Sequence, residues 1–128
     1  MRILLDTHIA IWAAANKLTP EAARYIGNAA NTLLFSSAVI WEIAIKYGRG
    51  RDDFVIAPAV FYSGLLNTGY QELPITGRHT LHLAALPPLH KDPFDRIMLA
   101  QAMFEGIPFL TADKALTRYP GTIIYAGV

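Results

Sequence analysis

Short apolar runs and longer stretches of helical spacing take turns along this chain. RILL at residues 2–5, TLLF at 32–35 and IPFL at 107–110 are nearly continuous apolar segments bounded by polar ones. That is the pattern of strands buried on both faces. Residues 70–74 and 122–126 read as two further strands. Helical patterns fill the intervals at 7–16, 37–47, 78–85 and 93–105, with another after Pro58 and a short one at 113–116. Thr19-Pro20-Glu21 is a helix start, with Thr19 as N-cap and proline in the first turn. GRGRDD, residues 48–53, ends the helix at 37–47 and reads as a polar loop.

Strands alternating with helices predict a three-layer α/β/α fold around a mostly parallel sheet. With 128 residues and no linker, repeat or low-complexity tract, the whole of 1–128 is expected to form one domain. Open sheets of this class bind ligands beyond the carboxyl ends of their strands, so those ends are where chemistry is sought.

Composition narrows the choice of chemistry. Cysteine is absent, which excludes disulfides, thiolate catalysis and zinc–sulfur sites and fits a cytoplasmic location. No apolar run approaches the roughly 18 residues that span a bilayer. The net charge of +1 marks no general polyanion binder, so any positive charge for a nucleic acid must be local. Hydrophobic residues make up 53% of the chain, a surplus that suggests apolar surface kept for a partner.

Acids stand at the predicted strand ends. Asp6 closes RILL, Asp113 follows IPFL by three residues, and Asp92 and Asp95 open the helix DPFDRIMLAQA. Each has a purely structural reading: aspartate is a favoured N-cap, and Asp92-Pro93-Phe94-Asp95 resembles a capping box with proline at the first helical position. Glu42 resists such a reading. It lies in SSAVIWEIAIK, a helix apolar on nearly every face and therefore expected to be buried, and the position a capping box would need is Val39. A pair with Lys46 is available, but an unpaired buried carboxylate costs several kcal/mol, or about that in a shifted pKa, so something positive should face it. Several carboxylates brought together repel unless a cation sits among them, and an all-oxygen set suits Mg²⁺ or Mn²⁺. Ions of that kind assist attack on phosphodiesters.

The chain resembles the PIN-domain ribonucleases, and within them the VapC-type toxins of toxin–antitoxin pairs. The resemblance runs over essentially its whole length through LLDTHIAIW, SSAVIWEIAIK, HKDPFDRIMLAQA and IPFLTADKAL. It implies an acidic pocket that holds Mg²⁺ or Mn²⁺ with Asp6, Glu42, Asp95 and Asp113 as catalytic acids and metal ligands. It places Thr111 near them as a hydroxyl that could hold a carboxylate or water, and makes Asp92 an additional acid or a helix cap. It further implies an endoribonuclease that cuts structured RNA of the transfer or ribosomal class, forms homodimers and is silenced by a VapB-type antitoxin. Trp12, Trp41, Tyr47 and Phe61 are candidate partner contacts. Lys46, Arg49, Arg51 and Arg96 are the basic residues nearest the predicted edge, and their contacts with phosphates would be salt-dependent.

Two other layered folds fail on spacing. A receiver domain wants paired acids after the first strand and a phosphorylatable aspartate after the third, where this chain has Gln71-Glu72-Leu73-Pro74; a dehalogenase-type phosphatase wants DxD, where Asp6-Thr7-His8 stands. A catalytically inactive interaction module of the same fold and a related DNA nuclease remain alternatives, since the acids do not read the sugar. His8, His79, His82 and His90 lack zinc-site spacing and read as surface or supporting groups.

Overall fold

A computed structural model describes residues 1–49 and 56–127; Arg51 and most of the predicted 48–53 loop lie outside them. Among the described residues, strands β1 (Arg2–Leu5), β2 (Thr32–Ser36), β3 (Gln71–Leu73), β4 (Phe109–Thr111) and β5 (Ile123–Tyr125) form one sheet, with spatial order β3-β2-β1-β4-β5. Every pairing is parallel, with Leu5 opposite Phe35 on one side and Leu110 on the other. Helices α1 (Thr7–Ala14), α2 (Pro20–Ile26), α3 (Ser37–Gly48), α4 (Pro58–Asn67), α5 (Gly77–Leu83) and α6 (Pro93–Glu105) connect them, and a 3₁₀ turn occupies Lys114–Arg118. This is the expected α/β/α arrangement. None of these helices is long and apolar enough to cross a membrane.

Alternation along the strands splits the core in two. Ile3, Leu5, Leu33 and Leu110 join Ile9 of α1 and Ala22 of α2, while Leu4, Leu34 and Phe109 belong to a larger cluster with residues of α3, α4 and α6. One register slip would exchange these sets, so the buried pattern fixes the pairing.

Side-chain caps start the helices that leave the carboxyl edge. Asp6 caps α1, Ser36 caps α3, Asp92 caps α6 beside Pro93, and Asp113 caps the 3₁₀ turn. Thr19 caps α2 as its sequence predicts. Gly106 ends α6 in the left-handed region, with φ 68°.

Several expectations need correction. Helix α3 is not buried all round: Ala38, Val39, Glu42 and Ile43 are, but Trp41 is 56% exposed and Tyr47 is also on the surface. Hydrophobicity on every face overstated its burial. Phe61, proposed as a partner contact, belongs to the core. His79 is 1% exposed and no surface group: its Nδ1 accepts the Thr76 N–H at 3.0 Å, closing a capping box, and its Nε2 meets Glu105 at 3.0 Å.

Candidate functional site

Strand β1 runs in the core to Leu5, and the next residue, Asp6, is only 2% exposed. Its Oδ1 accepts the Ile9 N–H at 2.8 Å, as an N-cap does. Its Oδ2 accepts the Ala112 N–H at 2.9 Å and the Thr111 hydroxyl, which ties the ends of β1 and β4 together. Burial pushes the Asp6 carboxyl above the usual range, against the hydrogen bonds and nearby His8, which favour the ionised form. Thr111 also accepts the Asp113 N–H at 3.0 Å, so one hydroxyl sets two acids. Asp113 Oδ1 in turn accepts the Ala115 N–H at 3.0 Å.

The start of α6 brings the next pair. Asp92 Oδ1 accepts the N–H of Phe94 at 2.8 Å and of Asp95 at 3.4 Å. The Asp95 carboxylate does not return that bond; its Oδ2 lies 2.9 Å from His90 Nε2. Burial, the charge of Asp92 and, more weakly, that of Asp6 push Asp95 up to about 6, and the His90 contact only partly opposes them. His90 Nε2 also stands 3.7 Å from Asp113 Oδ2. The Tyr119 hydroxyl accepts the N–H groups of Leu89 at 3.1 Å and His90 at 2.9 Å, so a buried phenol fixes the backbone that carries the imidazole.

Together these residues line an open pocket of about 440 Å³: Asp6, His8, Trp12, His90, Asp92, Asp95, Ala112, Asp113 and Lys114. His90, Asp95 and Asp113 each offer a ligand atom, all within 4.8 Å of one another. Two of the carboxylates, Asp6 and Asp95, have raised pKa values even with the imidazoles of His8 and His90 beside them. Such a site is short of positive charge, and its oxygen-rich donors fit a hard divalent cation.

Glu42 is not among the pocket's lining residues. It is 5% exposed, accepts the Thr7 hydroxyl at 2.7 Å through Oε1, and pairs with Lys46 Nζ at 2.7 Å through Oε2. The positive partner demanded by its burial is therefore Lys46 in the next helical turn. Thr7 follows Asp6 directly, so its hydroxyl ties Glu42 to the residue next to a pocket-lining acid.

The basic residues are dispersed. Lys46 is engaged with Glu42, Arg49 is exposed at the end of α3, and Arg96 donates to the Leu86 carbonyl at 3.4 Å. Among the described residues, the lysine that lines the pocket is Lys114, which the sequence reading passed over, as it passed over the central place of His90. HKDPFD did carry a signal for His90: an imidazole five residues before an acid, across a proline-bounded helix start.

The PIN domain family model matches residues 3–121. No curated protein matches. Among solved structures, the chain is similar to VapBC2 from Rickettsia felis, a structure bound to a DNA fragment from their promoter, at TM-score 0.73 and 18% identity over 97% of each chain. It is similar to FitAcB from Neisseria gonorrhoeae at TM-score 0.70 and 12% identity, again over 97% of each chain. A toxin–antitoxin complex from Klebsiella pneumoniae matches at TM-score 0.64 and 21% identity over 97% of each chain.

Proposed function

Since the chain belongs to the PIN domain family, we propose that it is a Mg²⁺- or Mn²⁺-dependent endoribonuclease, a VapC-type toxin that cuts structured RNA of the transfer or ribosomal class. It acts in the cytoplasm as a homodimer and is held inactive by a VapB-type antitoxin. The observation that carries the reading is the meeting of Asp6, Asp95 and Asp113 in one open pocket, from segments far apart in the chain.

Asp6, Asp95 and Asp113 would hold the ion, with His90 beside them. When bound, it supplies an acidified water for attack on a phosphodiester and charge to stabilise the phosphoryl oxygens. The chain supplies preorganisation. Thr111 and the Ala112 N–H orient Asp6, the Thr111 hydroxyl receives the Asp113 N–H, and α6 presents Asp95 from its first turn. Asp92 caps α6 and adds negative charge next to Asp95. Glu42 is the fourth acid of the set. Unlike Asp6 it does not line the pocket, and its Oε2 is paired with Lys46, so its direct participation requires Lys46 to swing away.

Cleavage of total RNA by the purified chain, with Mg²⁺ or Mn²⁺ and with excess chelator, tests the proposal. Cutting is expected only with the metal and not in Asp6→Asn or Asp95→Asn. Robust cutting in chelator, or undiminished cutting by either variant, refutes the metal-dependent nuclease. Preference for single-stranded DNA in the same assay refutes the RNA assignment alone.

A further inference from the structure

One wall of the pocket is aromatic; His8 bears on the charge of Asp6, but the acid set does not account for Trp12. His8 and Trp12, one helical turn apart on α1, both line the pocket. Their ring centroids are 6.3 Å apart with planes at 60°. Trp12 is braced against the core cluster of Ile3, Leu5 and Ile9, whereas His8 is exposed. Lys114 lines the same pocket. A phosphate beside an ion calls for charge, which an indole lacks; beyond its single N–H donor, what Trp12 offers the pocket is a flat aromatic face.

We propose that the Trp12 indole, flanked edge-on by His8, is a stacking platform for a nucleobase next to the acid cluster. The inference rests on the nuclease reading of the pocket and deepens it. Aromatic side chains stack on any base, at about 1–3 kcal/mol per base. A base inside a helix has both faces covered by its neighbours, so the platform is reached only by one that is unstacked. The pocket, at about 440 Å³, lies within the range of small-ligand sites. Lys114 is the side chain placed to meet a phosphate of the same strand.

The test measures binding of a fluorescein-labelled eight-nucleotide RNA, single-stranded and annealed to its complement. It uses the Asp95→Asn chain with Mg²⁺, so that the probes survive. The single strand is expected to bind at least about tenfold more tightly than the duplex. Trp12→Leu should weaken single-strand binding by about 5- to 150-fold, the range set by the stacking energy, and leave duplex binding within about twofold. His8→Ala, at an exposed position that does not threaten folding, should weaken it about threefold, and Trp12→Phe should retain most of it. If Trp12→Leu fails to fold, His8→Ala and Trp12→Phe decide the matter. Unchanged single-strand affinity in His8→Ala and Trp12→Leu, or equal losses for both probes, overturns the platform. So does a result in which these variants keep RNA affinity and lose a co-expressed antitoxin, which makes the rim a protein-docking surface. If the parent chain binds neither probe, the nucleic-acid reading of the pocket falls as well.

Discussion

Replacing Asp95 by asparagine should stabilise the metal-free protein and remove most of its response to Mg²⁺. In the metal-free fold Asp95 titrates near 6 against an ordinary value of 3.8, because burial and the charges of Asp92 and Asp6 outweigh the help of His90. A folded-state pKa above the unfolded one means that the ionised carboxylate destabilises the fold at neutral pH. The difference, 6 − 3.8, is about 2.2 units, and at 1.36 kcal/mol per unit the ceiling is about 3 kcal/mol. The pocket is open to solvent, which screens these charges, so about 1–2 kcal/mol is the working figure. Asparagine keeps the shape and an acceptor for His90 while shedding the charge. Urea unfolding in excess chelator at pH 7.5 should show the variant more stable by that amount. The penalty is fully present above about pH 6 and is relieved as pH falls towards 3.8, so the two curves should converge near pH 4. With Mg²⁺ at 100 times its dissociation constant the wild type gains about 2.7 kcal/mol, and the variant should gain less than a quarter of that. A variant less stable than wild type in chelator, or one with the full Mg²⁺ gain, would refute the view of these acids as a set awaiting a cation.

Thr111→Val removes a buried hydroxyl that donates to Asp6 and accepts from Asp113; urea unfolding should show a loss of about 1–3 kcal/mol with a smaller Mg²⁺ response, and Thr111→Ser should restore both. Lys46→Met leaves the Glu42 carboxylate buried with Thr7 but without the Lys46 charge. It should cost about 1–3 kcal/mol, and the double change Glu42→Leu with Lys46→Met should cost less than Lys46→Met alone, an ordering that a double-mutant cycle checks. Tyr119→Phe strips the acceptor from the N–H groups of Leu89 and His90. It should lower the melting temperature by a few degrees, about 1 kcal/mol, and free the His90 ring, visible as averaged imidazole resonances in the metal-free protein.

The fold was legible because its signals are local. The DP pair starts α6 at Pro93 and its glycine stops it at Glu105, where the sequence places both ends. The misses have backbone causes. Strand β4 begins at Phe109 and not at 107, because the Ile107 N–H is spent on the Ala102 carbonyl in closing α6 and Pro108 has no N–H to give. Helix α1 stops at Ala14, two residues early, as the chain turns to put Asn16 at φ 56°. In the site, acids at strand ends could be read from residue type and position alone. HKDPFD hinted at His90, but its place beside Asp95 and Asp113 depends on how the irregular turn LPPLHKDP is held by Tyr119, 29 residues away, and that was not legible. The burial of Glu42 was legible, but its engagement with Thr7, 35 residues earlier, was not.

The two readings that compete for each strand-end aspartate, helix cap and functional acid, are not exclusive. Asp6, Asp92 and Asp113 all cap through one carboxylate oxygen, and Asp6 also accepts the Ala112 N–H with its other. A cap contributes about 1 kcal/mol, and the favourable end of the helix dipole adds to it. Those terms offset part of the repulsion of gathering acids at one edge. Asp95, in the first turn of α6, shares the dipole but lacks the cap, since its carboxylate accepts from His90 and takes no backbone N–H. Burial raises Asp6 as well, and at Asp95 the charges of Asp92 and, more weakly, Asp6 add to burial and push it up to about 6. This is also why asparagine is the informative replacement at the capping positions. It keeps the capping acceptor and removes the charge (at Asp6 it also gives up the second acceptor, for the Ala112 N–H), whereas alanine would remove cap and charge together and confound a lost cap with a lost ligand.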